Sequence, residues 1–215
     1  MKVRRGKFSG AIGNEVYVST QHGQVVRSRP RRRPRPTPNR LRAQRNLSDV
    51  ASWWRSLTAQ QFAAWTIAAR QEGLVPFRFF CKINGTLTAY GQPRVLFPPK
   101  RERLRPNPIE QLEILNRRGS ITLRLRVPAP PASLTFVFGA RWCSRGISTP
   151  RSHGTLLGRL PAPVRGWSDV TSLYLNKFSS PPPGTRVFLW TRQLYHGRTD
   201  ELKQTHADVP SAEKQ

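Results

Sequence analysis

Apolar positions follow two rhythms along the chain, and the change of rhythm divides it. From Pro38 to Ser56, Leu47, Val50, Ala51, Trp54 and Leu57 recur at helical spacing, which predicts a helix with one apolar stripe. Thr37 can cap it and Pro38 suits its first position. Leu57-Thr58 ends it. Thr58-Ala59-Gln60-Gln61 is a capping-box pattern that starts a second helix, with Phe62, Trp65 and Ala69 on one face and Gly73 as its C-terminal stop. The two helices predict an αα-hairpin. In residues 77–90 Asn84-Gly85 suggests a tight β-turn, yet Phe77, Phe80, Cys81, Asn84 and Leu87 also fall near helical spacing. Periodicity leaves both readings open there.

Before and after this helical stretch the period is two. EVYVS and QVVRS flank the polar turn TQHG and predict a hairpin, which alone is marginal in water and has to pack on something else. Beyond residue 110, LEILN, SITLRLRV, LTFVFGARW, GTLLGRL, VTSLYLN and TRVFLWTRQL are short runs separated by Gly, Pro and Asn, the texture of a small antiparallel sandwich. Alternation places Ile121, Leu123, Leu125 and Val127 toward a core and Thr122, Arg124 and Arg126 toward water. Tyr195-His196-Gly197-Arg198 reads as a turn, and the polar QTHADVPSAEKQ is expected to fray.

These patterns predict an α+β fold: a β-hairpin and extended basic arm (1–36), a small helical module (37–90), a linker (91–109) with five prolines and five basic residues, an antiparallel β-sandwich (110–206) and a tail (207–215). Trp54 and Trp65 belong to the expected core, and Phe77, Phe79 and Phe80 cement the helical part onto its neighbour. Trp53, off the main stripe, is the candidate for a contact surface.

Charge changes the picture most. The chain of 215 residues has 37 basic and 11 acidic side chains and a formal charge of +26, which favours an anionic partner. Residues 27–45 read RSRPRRRPRPTPNRLRAQR, nine arginines and four prolines without an acid. Proline favours an extended path, and guanidinium forks match phosphate oxygens bidentately. Arg27, Arg29, Arg31, Arg32, Arg33, Arg35, Arg40, Arg42 and Arg45 are therefore the candidate polyanion-binding residues. Arg40, Arg42 and Arg45 sit on the first turns of the predicted helix, where they oppose its dipole unless an anion is near.

Catalytic chemistry is thin. His22, His153, His196 and His206 lie in predicted turns or the tail and have no metal-ligand spacing, and the acids are scattered. No P-loop or nucleophile elbow is present, so the sequence predicts a non-enzyme with no cofactor and no metal. Cys81 and Cys143 fall in different segments and read as buried free thiols. No run approaches the roughly 18 apolar residues needed to span a bilayer, and the start MKVRRGKFSG lacks a secretory apolar stretch, so no membrane partner is expected.

The order of motifs resembles a loose group of uncharacterised phage and prophage proteins of structural type. Its shared steps fall here on Gly23, Gln24, Val26, Arg27 and Ser28; on Thr37, Gln44 and Arg45; on Trp54, Leu57, Thr58, Gln61, Ala64 and Trp65; and on Phe80 and Asn84. Pro36 departs from the pattern, since no Asn precedes it. The resemblance covers about the first 90 residues, and the stretch from PNPIEQLEI onward resembles an immunoglobulin-like or fibronectin type III sandwich. It implies a virion component, present in the host cytoplasm during assembly, with other virion proteins as partners in a multi-subunit assembly and nucleic acid contacted through phosphate. It also tilts residues 77–90 toward helix. A cytoplasmic nucleic-acid-binding protein, ribosome-associated or nucleoid-like, is the rival expectation.

Overall fold

A computed structural model describes residues 9–29, 35–102, 105–129, 131, 133–148 and 154–211. Among them four helices and twelve strands form an α+β fold with three antiparallel sheets. The chain divides into two compact units, Met1–Asn46 and Leu47–Gln215.

The first unit holds β1 (Gly10–Ile12), β2 (Glu15–Thr20) and β3 (Gly23–Ser28), a sheet of order β1-β2-β3. The expected β2–β3 hairpin is present, with Tyr17 opposite Val26 and Val18 opposite Val25. Strand β1 adds an edge that Gly10-Ala11-Ile12 is too short to announce by alternation. The start of α1 (Pro38–Arg55) also belongs to this unit, and its end to the second. Thr37 caps it as predicted: its Oγ1 accepts from Arg40 N at 3.3 Å.

In the second unit α1 is followed by α2 (Ala59–Gln71) and α3 (Pro76–Ala89). The capping box forms, Gln61 N donating to Thr58 Oγ1 and Thr58 N donating to Gln61 Oε1. At the other end Gly73, at φ +64°, lets Leu74 N reach back to Ala69 O at 2.9 Å. Residues 77–90 are helical. Phe79, Phe80, Ile83 and Leu87 share a buried face, and Asn84 is no turn residue but a buried one, its amide tying Val95 through both N and O. Trp65 is buried as expected and donates Nε1 to Leu96 O. Trp54 is only half-buried, with Phe62, Phe77 and Phe80 around it at ring distances of 5.1–5.7 Å. Phe62, Phe77 and Leu47 remain exposed, so the predicted stripes are only partly covered.

The β part comprises β4 (Leu112–Arg117), β5 (Ser120–Arg126), β6 (Leu134–Gly139), β7 (Cys143–Ser144), β8 (Thr155–Arg159), β9 (Trp167–Asp169), α4 (Thr171–Leu175), β10 (Thr185–Tyr195), β11 (Arg198–Thr199) and β12 (Lys203–Asp208). One sheet runs β4-β5-β9; the other runs β11-β10-β6-β8, with β12 and β7 also paired to β10. They enclose a core of Leu123, Leu125, Val127, Val137, Val187 and Leu189 among others, a sandwich-like arrangement. Ile121, Leu123, Leu125 and Val127 point inward, as alternation predicts.

The second sheet is buried on both faces, which is why TRVFLWTRQL reads as a nearly continuous apolar run. On its far side Phe136 and Leu194 share a cluster with Val50, Trp65, Phe79, Phe80 and Ile83, so the helices form a third layer on the sandwich. Within the expected linker, Leu96 and Val95 are bonded as above, Asn107 Nδ2 donates to Thr191 Oγ1, and Ile109 is fully buried. That stretch is a strap over this unit's core.

Two expectations fail. VTSLYLN is not a strand: Val170 N still donates to Leu123 O, but the next residues turn into α4, which buries Tyr174 with its hydroxyl on Ala140 O at 3.1 Å. The short β9 takes the sheet position instead. The β-branched Val170 and Thr171 misled, because Thr171 serves as a cross-link, its Oγ1 accepting from Leu123 N at 2.9 Å. Nor does the described part of QTHADVPSAEKQ, residues 204–211, all fray. β12 pairs with β10 from Arg186↔Asp208 to Thr191↔Lys203, and Val209 is buried.

Candidate polyanion interface

Which arginines lack a carboxylate partner follows from where the chain's few acids lie. Residues 1–46 contain thirteen basic side chains and one acid, Glu15, which accepts from Tyr17 Oη at 2.7 Å. In the second unit most carboxylates are already engaged. Glu72 accepts from Arg198 Nη2 at 2.9 Å, with Arg101 at 3.7 Å; Asp208 pairs with Arg186 and Arg145 at 2.7 Å each; Glu110 pairs with Arg126, and Glu113 with Arg124. Asp200 accepts from Gln193 N, Asp169 from Thr171 N and Glu102 from Tyr195 Oη. Arg198 holds the Glu72 carboxyl below its ordinary range, and Arg186 with Arg145 holds that of Asp208 at about 2.

Among the described residues no carboxylate forms an ion pair with Arg27, Arg29, Arg35, Arg40, Arg42 or Arg45, and all six are exposed. Arg27 lies in β3 opposite Val16, and Arg29 N donates to Asn14 O just beyond it. Arg35 precedes the Thr37 cap. Arg40, Arg42 and Arg45 lie in the first half of α1, whose first turn has no acid, so their charges add to the positive end of the helix dipole. Such an arrangement is costly in isolation and favourable against phosphate or carboxylate. Arg31, Arg32 and Arg33 lie outside the described residues.

Trp53 is half-buried against the helical cluster, with the Arg94 guanidinium 5.1 Å from its ring centre. One of its faces is thus already in use. A second arginine–aromatic ladder, not foreseen from the sequence, covers the outer face of β5 and β9: Arg124 and Arg126 lie 4.5 and 5.9 Å from the Trp167 ring. Alternation places both arginines on the wet face, but their neutralisation by Glu113 and Glu110 depends on the strand register.

Among the described residues no group of three His, Cys, Asp or Glu could hold a metal. His22 and His196 are exposed in turns, and exposed His206 packs on Phe188; His153 lies outside the described residues. Cys81 and Cys143 are free and half-buried rather than fully buried, and burial raises both thiols, which disfavours the nucleophilic thiolate. A cleft of about 530 Å³ beside Leu87, Pro93, Val95, Leu134, Arg159 and His196 contains no carboxylate. No described helix is long and apolar enough to cross a membrane. No family model, curated protein or solved structure matches the chain.

Proposed function

We propose that the chain is a non-enzymatic structural component of a bacterial virus particle, whose cationic arm contacts packaged nucleic acid or neighbouring subunits. The observation that carries this reading is the set of six exposed arginines without carboxylate partners among the described residues, in a chain whose second unit has most of its described acids engaged. The resemblance of the motif order to phage and prophage proteins supports the virion setting, and an immunoglobulin-like or fibronectin type III character for the sandwich belongs to the same reading. In it the sandwich and its helical layer supply a stable body and the N-terminal unit supplies the binding surface. Guanidinium forks on a capped helix start favour phosphate as the arm's anion.

The test is a salt titration of binding to double-stranded DNA and to RNA by the full chain and by a variant with Arg35, Arg40, Arg42 and Arg45 changed to Ala. Each phosphate that the variant fails to neutralise reduces the slope of log K against log salt by about 0.9 for duplex DNA. A shallower slope in the variant supports phosphate binding by the arm. Equal slopes remove it.

A further inference from the structure

We infer that the cleft beside Arg159 in the second unit binds a small organic monocarboxylate, one carboxylate on an aromatic or branched aliphatic body. This goes beyond the structural role proposed above and does not depend on it.

The cleft lies between the end of α3 and the rim of the second sheet. Arg159 stands opposite Phe136 across β8 and β6, and Leu194 opposite Leu134 across β10 and β6. Phe136 and Leu194 belong to the helix-facing cluster, so Arg159 shares that face at its margin. Leu87 and Leu194 are buried and form the floor of a space of about 530 Å³, and Pro93, Arg159 and His196 are exposed at its rim. A second space of about 450 Å³, bounded by Leu160, Pro161 and Pro163, shares Leu134 and Arg159 with it. No described carboxylate lines either space or pairs with Arg159. Glu102 accepts from the Tyr195 hydroxyl at 2.8 Å and does not line the cleft. A smaller space of about 340 Å³ beside Ile67, Phe79 and Pro98 differs, because there Glu72 already answers Arg198 and Arg101.

An apolar cleft with one guanidinium at its rim and no acid is complementary to an anion that carries an apolar body. The single charge of Arg159 matches a carboxylate, whereas a phosphate monoester brings roughly −1.5 to −2 at neutral pH and leaves part of it unanswered. Leucine, valine and proline walls exclude a small hydrated ion as the natural fit. The walls are also held in place before anything binds. Val95 is tied through both backbone groups to Asn84, Ser133 Oγ donates to Gln193 Oε1 at 3.0 Å, and His196, at φ +47°, precedes Gly197, which lies against Ile83. A preformed cleft loses little conformational entropy on binding.

The experiment titrates hydrocinnamate into the full chain by isothermal calorimetry at physiological salt and follows the imidazole resonances by NMR in parallel. The expected Kd is on the order of 0.1 mM, with the His196 resonance moving along the same isotherm and that of His206 unmoved. Arg159→Met keeps an unbranched apolar stem at an exposed position and removes the charge. It should leave Tm unchanged and weaken binding about tenfold. Arg117→Met removes an equal charge elsewhere in the same unit and should change the affinity by less than about twofold, which separates the cleft from the pull of the net charge. Hydrocinnamyl alcohol, the uncharged analogue, should bind about tenfold more weakly than the acid to the unaltered chain and equally well to Arg159→Met. No heat and no shift, an affinity indifferent to Arg159→Met, an equal loss with Arg117→Met, movement of His206 in place of His196, or tighter binding of phenyl phosphate than of hydrocinnamate would each overturn the inference.

Discussion

Gly197 and Ile83 hold the helical layer on the sandwich at van der Waals distance: a Cβ at position 197 would lie 2.6 Å from Ile83 Cγ2 and 2.8 Å from its carbonyl oxygen. The turn between β10 and β11 also needs φ +80° there. Gly197→Ala is therefore expected to destabilise the second unit by about 3 kcal/mol, from backbone strain and overpacking together. Denaturant unfolding would show a lower midpoint, whereas Gly85→Ala, in an open position on α3, should not be destabilising.

Asn84 is the polar counterpart of that packing. Its amide satisfies Val95 N at 2.9 Å and Val95 O at 3.3 Å from a fully buried position. Asn84→Leu leaves both backbone groups without a partner and should cost about 2–4 kcal/mol, read by thermal unfolding. It should also speed exchange of the Val95 amide.

Thr58 sets the start of α2 through the reciprocal bonds with Gln61. Thr58→Ala should lower stability by about 1 kcal/mol, and Thr58→Asp by much less, measured by the same unfolding curves.

Acid sensitivity should come in part from Asp208. Its carboxyl is held at about 2, below the ordinary 3.8, by Arg186 and Arg145. A depressed carboxylate pKa contributes stability that is fully present above about pH 4 and is lost as the pH falls toward about 2. Asp208→Asn should lower Tm near neutral pH and flatten its fall between about pH 4 and 2. An unchanged acid limb would show that Asp208 does not drive it.

Much of this architecture was legible because local chemistry and tertiary need agreed. Thr37-Pro38, the Thr58–Gln61 box, Gly73 and the alternation through Leu123 and Leu125 each specify a local geometry that packing then uses. The failures have one cause, tertiary context overriding local pattern. Thr171 reads as a strand former, yet its hydroxyl is consumed by Leu123; Asn84-Gly85 leaves turn and helix both open, and the burial of Phe80 and Ile83 goes with helix. Gln204–Asp208 looks polar enough to fray, but it pairs with β10 as part of β12, and Val209 is buried. For the candidate interface, the arginines are plain in the sequence. Which of them are already neutralised is not, since the pairs Arg186–Asp208 and Arg198–Glu72 join residues far apart in the chain.

The proposed structural role in a virion is tested by quantitative mass spectrometry of nuclease-treated particles purified from cells that produce the chain. The chain is expected at a fixed copy number relative to the major particle proteins, retained through gradient purification. Its absence from such particles, with abundance only in the soluble fraction of the producing cells, would contradict that role.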